Sequence, residues 1–61
     1  MFTKHKIYYT VETKIEEEDT YIFVCSFSTY SEAIDKADEL RKQTGNEYRV
    51  LKIEKDVEEV S

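Results

Sequence analysis

Between His5 and Ile15 apolar and polar positions alternate. Ile7, Tyr9, Val11, Thr13 and Ile15 fall on one side, and Tyr8, Thr10, Glu12 and Lys14 on the other. A period of two sends successive side chains to opposite faces, so the run predicts an antiparallel strand with its first set turned to the core. Thr20 to Phe27 keeps the period but loses the polar side: Tyr21, Phe23, Cys25 and Phe27 share one face, and Ile22, Val24 and Ser26 the other. From Thr29 the spacing changes to three and four, through Tyr30, Ala33, Ile34, Ala37 and Leu40. That is the buried stripe of a helix. Glu47 to Lys55 returns to a period of two, with Leu51 and Ile53 on the face of Arg49 and Lys55, and Tyr48 and Val50 opposite. If Leu51 and Ile53 turn to the core, Tyr48 and Val50 join Tyr8, Ile22 and Val24 in an outer apolar patch.

The helix, placed over 29–45, is marked at both ends. Thr29-Tyr30-Ser31-Glu32 fits a capping box, in which Thr29 accepts from an orphan N–H of the first turn and Glu32 reaches back to the Thr29 N–H. Gly45, the only glycine, stands where a left-handed residue would close the helix. Glu32 and Asp35 come early and Arg41 and Lys42 late, as the helix dipole prefers. Between the first two strands Glu16-Glu17-Glu18-Asp19 breaks the alternation. Four adjacent carboxylates repel one another, which places them at an exposed turn. The tail DVEEVS is read as a short frayed end. The order strand, strand, helix, strand, with a right-handed crossover, puts the third strand beside the first. The expectation is one α+β domain over 1–61: a three-stranded antiparallel sheet of order 2-1-3, with a helix on one face and the other face open.

Size and charge narrow the function. A chain of 61 residues buries only about 60% of its unfolded surface. A single cysteine excludes an internal disulfide, and no Cys/His set could hold zinc. Small unstapled chains gain stability by associating, and the outer patch of Tyr8, Ile22, Val24, Tyr48 and Val50 makes a homodimer the expected state. Cys25, set in an apolar run without basic neighbours, reads as a buried thiol. The net charge of −5 argues against direct nucleic-acid binding through a basic patch. An acidic surface can instead address a basic protein surface. No apolar run reaches transmembrane length, and MFTKHKIYYT lacks a signal-peptide apolar region, so a cytoplasmic protein without membrane contact is expected.

Catalytic sets are missing from the pattern. His5 is the sole histidine, and no Cys or carboxylate spacing surrounds it. One glycine cannot build a phosphate loop, and the acidic turn lacks the spacing and glycine of a calcium loop. Neither catalytic residues nor cofactor nor metal is expected, and the protein reads as a non-enzyme acting by surface recognition. On the helix, Glu32, Asp35, Asp38 and Glu39 stand three or four apart, with Tyr30 at their head. Neighbouring Cβ atoms at that spacing lie about 5–6 Å apart, within a factor of about two of the charge spacing of a nucleic-acid strand. Such a row could occupy a basic DNA-binding cleft.

Element order, size, acidity and the stretch YIFVCSFSTYSEAI together resemble the small uracil-DNA glycosylase inhibitors of Bacillus podoviruses. The resemblance covers nearly the whole chain in length and order, and it carries no specific motif. It implies a dimer that imitates DNA, blocks the DNA-binding cleft of the glycosylase and grips an inserted leucine in an apolar groove between protomers. Carried over, it makes Tyr30, Glu32, Asp35, Asp38 and Glu39 the polar rim, with Ala33, Ile34 and Ala37 near the groove. The helical stripe assigns those last three to the core, and full burial there is incompatible with lining an open groove. The family's aromatic residue within the helix has no counterpart; Ala33 or Ile34 stands near that place. The alternative is a phage or mobile-element interaction protein, anti-defence or regulatory, that binds another host target without DNA mimicry.

Overall fold

The computed structural model describes residues 2–15, 17 and 19–59, with backbone alone for Phe2 and Glu59. Its elements run β1 (Phe2–Lys14), β2 (Tyr21–Phe27), α1 (Tyr30–Thr44) and β3 (Glu47–Glu59). The three strands form one sheet of order β2-β1-β3, with both outer strands antiparallel to β1. This is the expected α+β, ββαβ arrangement. Glu16 and Glu18 of the acidic turn lie outside the described residues, while Glu17 and Asp19 are exposed.

Both ends of α1 follow from their residues. Thr29 is extended (φ −123°, ψ 148°), and its hydroxyl oxygen accepts from the Glu32 N–H at 3.4 Å. The return half of the capping box differs from expectation: the Glu32 carboxylate accepts from the Thr29 hydroxyl at 2.8 Å rather than from its N–H. Gly45 closes the helix at φ 74°, and its N–H reaches the Arg41 carbonyl at 2.9 Å. The Thr44 hydroxyl donates to the Leu40 carbonyl at 2.9 Å, accepts from the Asn46 N–H at 3.2 Å and meets the Tyr48 hydroxyl at 3.1 Å. That knot ties the helix end to the start of β3.

The core is small: Val11, Ala33 and Ala37, with Tyr9, Cys25, Phe27, Tyr48 and Val50 packed round it. Two alanines one turn apart let α1 lie close on β1. Residues paired across an antiparallel ladder share a face. Val11 pairs with Cys25 and Val50, Tyr9 with Phe27, and Thr13 with Tyr48, so these form the helix side. Three expectations are corrected here. Tyr48 and Val50 face the helix, and Leu51 and Ile53 therefore face away. In β2 the register slips between Val11↔Cys25 and Glu12↔Phe23, which makes Val24 an extra residue. This bulge turns Phe23 and Tyr21 to the open face, leaving only Cys25 and Phe27 of the predicted set over the core. Lastly, the tail is not frayed as far as Glu59: Asp56 to Glu59 extend β3 opposite His5 to Phe2. Val60 and Ser61 lie outside the described residues.

The longer strands give the molecule extents of 45 × 25 × 15 Å. Pairing of β2 with β1 stops at Tyr9↔Phe27, so Phe2–Tyr8 and Ile53–Glu59 project as a two-stranded arm.

Candidate protein-binding surfaces

The helix face read from the sequence is accessible, though its charges are not all unopposed. Tyr30 is 57% exposed and packs edge-on against Tyr9, with ring centroids 5.7 Å apart. Glu32 is exposed beside its cap, and Asp35 is exposed with no ion pair or hydrogen bond among the described residues. Asp38 is held by Arg41 at 2.7 Å, and Glu39 by Lys36 at 3.7 Å. Ala33 and Ala37 are 0% and 2% exposed, which settles their placement in the core and beyond a partner's reach. Ile34 is half-buried.

A second acidic row lies on the same side of the sheet. Ladder parity puts Glu54, Asp56 and Glu58 of β3 on the helix side, along the arm beyond the Tyr9–Tyr30 contact. Lys52 donates to Glu54 at 2.8 Å, and His5 meets Asp56 at 2.8 Å. The hydrogen bond from Lys52, with its nearby charge, holds the Glu54 carboxyl below the ordinary carboxylate range and raises Lys52 in return. The row was hidden in the sequence because the tail read as unpaired. Once Asp56 to Glu59 are paired, alternation aligns the acids.

The opposite face carries the reverse sign. Lys4, Lys6, Lys14, Arg49 and Lys55 project there against Glu12 and Glu47. Arg49 grips Glu12 through Nε at 2.8 Å and Nη2 at 2.7 Å, and lies 3.9 Å over the Tyr21 ring. Lys55 stands 5.6 Å over the Tyr8 ring. Of the five residues expected to form one dimer patch, Tyr8 is on this open face. Tyr48 and Val50 pack on the core, Ile22 pairs with Thr13 on the helix side, and Val24 sits in the bulge. They do not form a continuous surface.

A shallow recess of about 550 Å³ at the turn end is lined by Lys14, Glu17, Asp19, Gly45, Asn46 and Glu47. Its side chains offer an amine, an amide and carboxylates, with neither hydroxyl, thiol nor imidazole. Among the described residues no His/Cys/Asp/Glu group is placed to hold a metal ion. No helix there is long and apolar enough to cross a membrane.

No family model, curated protein or solved structure matches the chain. Function must therefore be argued from these surfaces. Their main property is the sorting of charge across a sheet only one layer thick.

Proposed function

We propose that the protein is a phage-type inhibitor, not an enzyme, that sets its acidic helix-bearing side into the DNA-binding cleft of a basic nucleic-acid enzyme in the host cytoplasm. Uracil-DNA glycosylase, implied by the resemblance, is the first target to test. The observation that carries this reading is the collection of Glu32, Asp35, Glu54, Asp56 and Glu58 on one side, while the lysines of the arm turn to the other. Alternate residues of a strand advance about 6.8 Å. That is the axial distance spanned by every second phosphate of one DNA strand, at about 3.4 Å per phosphate. An acidic row on β3 is thus commensurate with the charges a DNA-binding cleft is built to receive, and the helix acids widen it.

The test is uracil excision from a labelled oligonucleotide by a bacterial uracil-DNA glycosylase, with and without stoichiometric protein. Complete inhibition is expected, and unimpaired excision overturns this target. Glu32→Lys combined with Asp35→Lys is expected to abolish inhibition while the circular dichroism spectrum stays unchanged. Full inhibition by that variant removes the helix from the interface. The pairing of Asp38 and Glu39 with Arg41 and Lys36 favours the second reading, a different host target met by a helix face of mixed charge. In that case the same variant fails to bind a target that is not a glycosylase.

A further inference from the structure

The face of the sheet turned away from α1 is covered by no described element of the chain. Along it the side chains run in ladder rows: Lys4 and Val57, Lys6 and Lys55, Tyr8 and Ile53, Thr10 with Ser26 and Leu51, Glu12 with Phe23 and Arg49, then Lys14 with Tyr21 and Glu47. Two properties set these rows apart. The first is charge. Lys4, Lys6, Lys14, Arg49 and Lys55 are five of the nine Lys and Arg residues of the chain, and the described side chains of the rows include only Glu12 and Glu47 of its 14 acids. Glu12 is already taken up by Arg49 at 2.7 Å. The rows of the arm hold lysines and no described carboxylate. The second property is that rings stand among the cations. Lys55 lies over Tyr8, and Arg49 lies over Tyr21. Phe23, at 62% exposed, is the most open large apolar residue of the described chain.

We infer that this face binds single-stranded DNA, with backbone phosphates on the lysines of the arm and bases laid over Tyr8 and Phe23. Such a strand needs cations to track its phosphates and rings on which its bases can stack. A duplex hides the flat faces of its bases and would leave Phe23 without a partner. An acidic peptide would meet the lysines and leave the rings unused. Thymine fits best, because Leu51 and Ile53 in the rows beside the rings offer its methyl group apolar contact. Uracil in RNA lacks that group. From Lys4 to the row of Phe23 the central strand advances eight residues, about 27 Å at about 3.4 Å each, so the lysines and Phe23 engage different nucleotides of one strand. The net charge of −5 opposes nucleic acid only where charges are mixed, and here the sheet sorts them. Glu54, Asp56, Glu58 and the helix acids lie across the sheet, at least about 10 Å from these lysines. That exceeds the Debye length of about 8 Å at physiological salt. The helix side takes no part, so this binding is independent of the proposed target.

Fluorescence anisotropy of a labelled thymidine oligonucleotide, titrated with the full chain, is expected to show binding that weakens with salt. Three arm lysines, at about 0.7 per phosphate on a single strand, give a log–log slope of about −2. Phe23→Ser, at a position open enough to spare the fold, weakens binding at least about fivefold. Lys6→Glu with Lys55→Glu abolishes it, and circular dichroism checks that both variants stay folded. Absence of binding at low salt overturns the inference, as does binding indifferent to both variants. A uridine oligoribonucleotide bound as tightly overturns the choice of DNA. Displacement of the oligonucleotide by an equal charge of polyglutamate also overturns it and assigns the face to an acidic protein segment. The variant Glu32→Lys with Asp35→Lys is expected to keep its oligonucleotide binding, which separates failure here from failure of the target assignment.

Discussion

Two threonines of β1 show how one residue type takes opposite roles. Thr13 is 8% exposed, and its hydroxyl donates to the Glu47 carbonyl at 3.0 Å. Thr10 is 7% exposed, and its hydroxyl has no partner. A buried hydroxyl repays its desolvation only when it is bonded. Valine keeps the branched shape and the strand preference at both positions. Thr10→Val is therefore expected to stabilise the protein by about 1 kcal/mol, and Thr13→Val to destabilise it by about 1 kcal/mol. For a domain this size either change moves the melting temperature by about 4–8 °C. Thermal unfolding of the two variants side by side checks the sign, and a fall for both would mean that the Thr10 hydroxyl finds a partner in solution.

At the scale of elements, what was legible in the sequence was what local chemistry fixes. Thr29 and Gly45 bound α1 because a cap needs a short side-chain acceptor and a left-handed close needs no Cβ. The strand order followed from short connections. The bulge at Val24 was not legible: Tyr21 to Phe27 is apolar on both faces, so shifting the register by one residue leaves no polar group obviously misplaced. The face of β3 was misread for the same reason, since Tyr48 and Val50 are as apolar as Leu51 and Ile53. The arm was missed because the pairing of Asp56 to Glu59 depends on Phe2 to His5, more than fifty residues away. Its consequence is dynamic. A two-stranded ribbon without a covering layer is marginal in water. Amides of the Phe2–Tyr8 and Ile53–Glu59 ladder should exchange at least about tenfold faster than those of Tyr9–Val11, under the helix. Equal protection would show that the arm is stable without a covering layer.

At the scale of the whole molecule, the sheet is a partition. The side bearing α1 gathers acids, and the other side gathers lysines and apolar rows, in a chain of net charge −5. The groove between protomers implied by the family resemblance would need both helices on one side. The buried Ala33 and Ala37 could not line it. A chain that acts singly binds one target molecule; a groove shared by two copies binds one target per two chains. The mass of the saturated complex, measured by light scattering coupled to size exclusion, distinguishes them. One target per chain is expected, with affinity that falls as salt screens the acidic side. One target per two chains would place both copies on the same cleft and require a contact that leaves the helices adjacent.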